Sequence, residues 1–493
     1  LLQTYKIEPM FHQDMWDFIR RHAQDDVRKL ALKRPDSPNV DLKEALTQIE
    51  GYQTARKKLP LWAENPQLVY PPRISMEQCS SETTALYKQQ VVRRLLQGLE
   101  NPGSNNQNHP LSMADMTGGF GIDFSYLAPL FDHACYIEQQ EVLCRIARHN
   151  LKVLGLEQAE VCHGDGVERL PEKAPFTLVF IDPARRDGQG KKTVALSDCT
   201  PDLTAIQERI RSCSRFCMAK LSPMLDIHQA LQELKGVSEV HVVSVDNECK
   251  ELLLVLSSED AENIAEMATA EKRQETGNNP DSKTDKTEEV SENKLENISE
   301  NKAESTLEDT SKDTSESKLE GASTTSNSKQ SVVIKKPAET RIFCINLQKG
   351  EQQTFEYTAQ EEAMAEAVYT DQPGTYLYEP NTSLLKAGAY KCLCARFGVR
   401  KLHPNSHLYT SDTLCADFPG RRFRITGCRS FGKQDLKQIA REIPQANITI
   451  RNFPSTVQKL RKKLKIKEGG DRYLFITTLK NEQHIILECL KAE

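Results

Sequence analysis

Four short apolar runs in this chain stop on an acid. In "ADMTGGFGIDFSYLA" the run ends at Asp115, and Thr117, Gly118, Gly119, Phe120 and Gly121 turn into an amphipathic stretch. Glycines let a backbone pass close to a ligand and adopt positive φ. A dinucleotide loop needs G-x-G-x-x-G, and Phe124 stands where its third glycine belongs. Asp115 would also repel a pyrophosphate, whereas a sulfonium or ammonium ligand is drawn to it. The pattern therefore points to S-adenosylmethionine (SAM) rather than a nicotinamide dinucleotide. Glu138, in "CYIEQQ", lies seventeen residues past Gly121, where a carboxylate can accept both ribose hydroxyls. In "VCHGDGVERL", Asp165-Gly166 follows a third run and can accept the adenine amino group. A lone acid at a strand end commonly caps the next helix. Three in order, at the tips of successive strands, converge on one crevice of a parallel sheet.

The fourth run ends in "VFIDPARRDGQGKK". Asp182-Pro183 resembles the first half of the Asp/Asn-Pro-Pro-aromatic corner of amine-directed methyltransferases. There the carboxylate and the proline carbonyl hold an exocyclic amine with its lone pair toward the methyl. Proline stiffens the turn and brings no N–H of its own. The stacking aromatic is absent here, and Arg185 takes its place. A guanidinium plane can stack on a base or pair with phosphate. Arg185, Arg186, Lys191 and Lys192 then form a basic edge suited to a nucleic-acid backbone, or an ordinary solvated loop.

These residues need strands to carry them. Residues 111–257 alternate apolar runs with helical stretches: "SMADMT", "HACYIE", "AEVCHG", "TLVFID", "RFCMAKL", "EVHVVSV" and "ELLLVLS". That alternation predicts a parallel sheet wrapped by helices. "DNECK" joins the last two runs as a hairpin, so the sheet ends in an antiparallel pair. Residues 1–100 read as helices, with Asp41 as an N-cap and Glu44 three residues on. A further helix is expected from Ser80-Ser81 to Leu99, and Gln78, Ser80, Ser81 and Tyr87 are placed to cover a cofactor or simply to cap that helix. From 258 to 335 Glu, Ser, Asn, Lys and Thr dominate, and such a segment cannot bury enough surface to offset its ordering entropy. It reads as a disordered acidic tether. Structure resumes at "ETRIFCINL", and "SLLKAGAYKCLCARFG" reads as one helix.

Charge divides the chain. Residues 258–330 carry 19 acidic and 9 basic side chains, whereas 416–493 carry 17 basic and 8 acidic. A basic C-terminal module suits a polyanion, nucleic acid first. In "TVQKLRKKLKIKEGGDRYL", Val457, Leu460 and Leu464 make an apolar stripe. Lys459, Arg461, Lys462, Lys463, Lys465 and Lys467 line its rim or far face, where phosphate contacts would be salt-sensitive and indifferent to sequence. The 14 cysteines show neither C-x-x-C nor zinc spacing. No metal site is expected, and reduced thiols fit a cytoplasmic chain. No apolar run is long enough for a membrane helix.

The stretches "SMEQCSSETTALYK", "DMTGGFGIDFSYLA", "YIEQQ", "IDPARRDG", "KLSPMLDI", "YLYEPNTSLLKAGAYK", "FPGRRFRI" and "IRNFPSTVQKLRKKLKIKEGGDRYLF" resemble the class I methyltransferases that carry a C-terminal THUMP-like domain. The catalytic region is more distantly similar to the trimethylguanosine synthases, which methylate guanine N2 on RNA caps. That family has Pro-Pro-Trp where this chain has Pro183-Ala184-Arg185. The resemblance implies an α/β fold: a Rossmann-like sheet of seven strands, the last antiparallel, over 101–257. It implies a ferredoxin-like α+β domain over 336–415 and a basic THUMP-like RNA-binding domain over 416–493. By position it implies Asp115, Thr117, Gly119, Phe120 and Gly121 as the cofactor loop, Glu138 at the ribose, Asp165 and Gly166 at the adenine, and Asp182-Pro183 as amine acceptors beside Arg185. The expected function is SAM-dependent methylation of an exocyclic base amine in RNA. The alternatives are a non-catalytic RNA-binding protein retaining the fold, and a methyltransferase acting on a small molecule or a protein.

Overall fold

The computed structural model describes residues 10–99, 110–173, 175–185, 195–258 and 339–492. Beyond Ser258, the expected tether lies outside these.

Strands β1 (Ser112–Asp115), β2 (His133–Glu138), β3 (Ala159–His163) and β4 (Phe176–Ile181) are parallel, as is the later β7 (Ser214–Leu221). β1 pairs with both β2 and β4, so the sheet reverses direction of growth at β1. Neighbouring residues alternate between two cores. Ala114, Val179 and Cys217 face one, and Met113, Leu178, Phe180 and Met218 face the other. A sheet covered on both faces needs such near-continuous apolar runs. Two short strands, β5 (Ala184–Arg185) and β6 (Cys199–Thr200), form a separate antiparallel ladder just past β4.

β8 (Val237–Val245) and β9 (Glu248–Ser257) form the expected hairpin. Its turn residues Asp246 and Asn247 have φ of 50° and 63°, the left-handed pair of a two-residue hairpin. β9 is antiparallel to β7 as well.

Among the described residues the seven strands expected from 101–257 are in the sheet, the last of them (β9) antiparallel to its neighbours, and two more from beyond 257 bring the sheet to nine. β10 (Arg341–Gln348) adds parallel to β8, and β11 (Glu351–Thr358) folds back on it. Both fall within the range expected for the ferredoxin-like domain, 336–415. Instead they cover the outer edge of β8, which would otherwise offer unpaired N–H and C=O groups. The sheet order is β11-β10-β8-β9-β7-β4-β1-β2-β3.

A second sheet follows, of strands β12 (Tyr376–Pro380), β13 (Arg400–Lys401), β14 (Tyr409–Ser411), β15 (Gly420–Ser430), β16 (Asn447–Arg451), β17 (Arg472–Thr478) and β18 (His484–Lys491). Because β12 pairs with β15, the ferredoxin-like and THUMP-like modules share one sheet. The single helix expected over "SLLKAGAYKCLCARFG" is two, Thr382–Ala387 and Tyr390–Phe397. Gly388, at φ +85°, ends the first in the left-handed conformation.

The N-terminal helices include Leu42–Lys58, capped by Asp41, and Glu82–Gln97, capped by Ser81. Among the described residues no helix is long and apolar enough to cross a membrane.

Candidate active-site cleft

The carboxyl ends of the parallel strands open into a cleft of about 1540 Å³. Single-ligand pockets run to roughly 300–1,000 Å³, so the cleft can seat a cofactor and part of an acceptor. It is lined by Asp115, Thr117, Gly119, Gly121, Glu138, Asp165, Gly166, Asp182 and Pro183, which the sequence had set apart by almost seventy residues.

The glycine turn is built by close approach. A Cβ on Gly118 would lie 2.3 Å from the Tyr136 ring, and one on Gly166 would lie 2.2 Å from the Met116 carbonyl oxygen. Gly119 and Gly121 have φ of +57° and +82°. Gly119 N donates to Glu138 Oε2 at 2.9 Å, tying the turn to the tip of β2. The other Glu138 oxygen accepts from Gln140 N at 2.8 Å. Asp165 Oδ1 accepts from Val167 N at 2.7 Å, so it caps its helix as well as facing the cleft.

Asp115 is 2% exposed. Its Oδ1 accepts from Thr117 N at 2.9 Å, and Thr117 Oγ1 in turn accepts from Asp182 N at 2.7 Å. Among the described residues no cation pairs with Asp115. Burial pushes its pKa up to about 8, opposed by the Thr117 N–H and reinforced by Asp123, Asp182 and Glu138. A buried acid without a counter-charge fits a cationic ligand such as SAM, which would let it ionise.

Phe120 lines the cleft with the rest of the loop, and its ring packs edge-to-face on Trp62 at 5.1 Å and near Tyr70, so it also anchors the loop to the N-terminal helices. Of the cofactor-covering candidates, Gln78, Ser80 and Ser81 line the cleft. Ser81 is spent on helix capping, and Tyr87 hydrogen-bonds His241 Nδ1 at 2.7 Å inside the core. Arg185 is placed by its backbone on β5 at the cleft edge. Arg186, Lys191 and Lys192 lie outside the described residues. In the C-terminal module Lys459, Lys462, Lys463, Lys465 and Lys467 are exposed on or beside the helix Val457–Leu464. Arg461 is engaged locally with Ala446 O and Glu468.

Sequence reasoning missed a buried charge network under the cleft. Lys220, at the end of β7, donates to Asp182 Oδ2 at 2.5 Å. Lys88, fully buried in the helix Glu82–Gln97, meets Asp123 Oδ1 at 3.0 Å and Glu251 Oε1 at 2.8 Å. Ser80 donates to Asp123 Oδ2 at 2.6 Å. Burial opposes the charge of Asp123, but Lys88, Lys220 and Ser80 outweigh it and hold its pKa low. The one available signal was a lysine interrupting apolar residues at the end of "RFCMAKL".

A family model described as a ferredoxin-like domain matches residues 376–419, one described as THUMP domain-like matches 420–491, and one described as protein-L-isoaspartate(D-aspartate) O-methyltransferase matches 92–187. The crystal structure of a "putative methyltransferase" from Porphyromonas gingivalis is 31% identical, with 97% of this chain and 98% of that chain covered at a TM-score of 0.72. An uncharacterized S-adenosylmethionine-dependent methyltransferase of Mycobacterium tuberculosis is 31% identical over 140 residues, 28% of this chain and 37% of its own length. A protein-L-isoaspartate O-methyltransferase of Aeromonas salmonicida is 28% identical over 126 residues, 26% of this chain and 53% of its own. The chain thus spans roughly a third to a half of the length of these curated relatives. With likeness to the Porphyromonas gingivalis protein along nearly its whole length, and its C-terminal modules matched in order, this chain belongs to the class I SAM-dependent methyltransferases with a C-terminal THUMP-like domain.

Proposed function

We propose that the protein transfers the methyl group of SAM to an exocyclic amine of a base in RNA. The observation that carries the reading is the convergence of Asp115, Glu138 and Asp165 with the Asp182-Pro183 corner in one cleft. Glu138 would hold the ribose hydroxyls, Asp165 the adenine amino group, and Asp115 the positive charge of the cofactor. Bound SAM would supply an electrophilic methyl carbon for in-line displacement, with sulfur as the leaving atom. The chain's own work is to orient and to desolvate. Asp182 and the Pro183 carbonyl accept the amine's two N–H groups and leave its lone pair pointing outward. No dedicated base is needed when the proton departs after transfer, and Asp182 is the nearest acceptor for it. The THUMP domain-like match and the exposed lysines of 457–467 support RNA as the macromolecule delivered to the cleft.

The match of residues 92–187 to an isoaspartate O-methyltransferase model favours a second reading, transfer to a protein carboxylate. Labelled SAM incubated with total RNA and with total protein from cells lacking this protein separates the two. Label in RNA, lost on ribonuclease treatment and absent with Asp182→Ala, is expected. Base-labile label in protein that survives ribonuclease selects the second reading. Label in neither fraction leaves a non-catalytic RNA-binding protein or a methyltransferase acting on a small molecule.

A further inference from the structure

Asp182 and Lys220 sit side by side at the tips of neighbouring parallel strands, since Ile181 pairs with Ala219 in the β4–β7 register. The Lys220 side chain is 13% exposed and that of Asp182 37%. The ammonium therefore stands behind the carboxylate, and the carboxylate faces the cleft that both line. Behind Lys220 lie Asp123 and Glu251, themselves held by Lys88 and Ser80. The helices Glu82–Gln97 and Ile122–Leu127, β7 and β9 thus contribute to one charge network at the cleft.

This ammonium is no general base. Burial works against its charge, but Asp182, Asp123 and Glu251 together raise its pKa above the ordinary lysine range. It stays protonated across any working pH, and its charge is spent on its neighbours. What it controls is the carboxylate in front of it. An unrestrained Asp182 could rotate about χ2 and offer either oxygen to solvent or to the acceptor. With Oδ2 tied to Lys220 Nζ, only Oδ1 remains.

Resting on the amine-transfer reading above, we infer that Lys220 is a positioning residue: it occupies Oδ2 of Asp182 and turns Oδ1 to one N–H of the acceptor. The second N–H then falls to the Pro183 carbonyl, so the amine is held in a single orientation.

The test is a double-mutant cycle on full-length protein, reading methyl transfer to RNA and SAM affinity by calorimetry. The variants are K220M, K220R, D182N and D182N/K220M. Asn at 182 retains an acceptor oxygen, so its residual rate is measurable. K220M is expected to keep SAM affinity and acceptor KM near wild type and to lower kcat about a hundredfold, the scale of an ångström's misplacement. K220R, which keeps the charge, should recover part of that loss. On the D182N background K220M should cost less than about twofold, because Asn has a single acceptor oxygen, so Lys220 then competes with the amine for it and no longer turns a second oxygen toward the amine. Should K220M fail to fold, the cycle is run with K220R, where the same non-additivity is expected. K220M at the wild-type rate, or a full loss repeated on D182N, overturns the inference while leaving amine transfer intact. No transfer by wild-type protein overturns both.

Discussion

Asp115 makes a quantitative prediction about cofactor binding. Its carboxyl is held up to about 8 mainly by burial. At pH 7 about nine-tenths of the unliganded protein therefore carries a proton there. A cation within ~4–6 Å lowers a carboxyl pKa by about 1–3 units. Binding SAM at pH 7 should then release about 0.4–0.9 proton, and affinity should rise about ten- to five-hundredfold between pH 5 and 9. The assay is calorimetry at pH 7 in buffers of different ionisation enthalpy, where the slope of observed heat gives the protons released. Asp115→Asn keeps an oxygen for the Thr117 N–H and removes the titration, so its slope should fall to zero. The linkage also runs through stability. A raised acid contributes stability below its unfolded value of 3.8 that is lost as pH climbs through about 8. The unliganded wild type should thus lose thermal stability relative to the Asn variant across that window, and SAM should restore it. A wild-type slope of zero with tight SAM binding would refute the assignment of Asp115 to the cofactor's charge.

Other consequences are simpler to check. Gly166→Ala puts a Cβ 2.2 Å from the Met116 carbonyl. It must displace the Asp165 turn, with SAM affinity falling about tenfold or more, or ~1.4 kcal/mol, by calorimetry. Arg94 holds the buried Glu239 through two bonds of 2.7 and 2.5 Å. Burial would raise the Glu239 pKa, but His241 and Arg94 bring it to about 2. Arg94→Met should cost about 2–3 kcal/mol in urea unfolding, below the ~3–5 of a fully buried pair because Arg94 is partly solvated. That pair's contribution is present above the unfolded value of 4.5 and lost as pH falls toward 2, so the difference between the two proteins should narrow over that range. If Lys462 and Lys463 contact phosphates, alanine at each should reduce the log–log salt slope of single-stranded RNA binding by about 0.7, while an unchanged slope removes that helix from the RNA path.

The convergence of Asp115, Glu138, Asp165 and Asp182 on one cleft was legible because a parallel sheet forces loop chemistry to the carboxyl ends of its strands, and short apolar runs ending in acids mark those ends. Asp41 and Ser81 as helix caps were legible for a similarly local reason. Lys88 was not: a lysine among "LYKQQVVRR" reads as solvent-facing, and only Asp123 and Glu251, distant in sequence, explain its burial. Lys220 escaped for the same cause, since its partner lies on a strand 38 residues earlier. The strand Arg341–Gln348 looked like the start of a new domain because some eighty residues separate it from β9. Strand pattern says that a segment is extended, and not which edge it will cover. The shared sheet of the two C-terminal modules was hidden likewise, as the β12–β15 pairing crosses the expected boundary.

The most direct measurement is nucleoside mass spectrometry on RNA from cells lacking the protein, after incubation with purified enzyme and isotopically labelled SAM. A labelled nucleoside methylated on an exocyclic nitrogen, missing when Asp182→Ala replaces the wild type, is the expected result. Label on a ring carbon or a ribose oxygen, or an equal yield from both proteins, would contradict the amine-holding role of the Asp182-Pro183 corner.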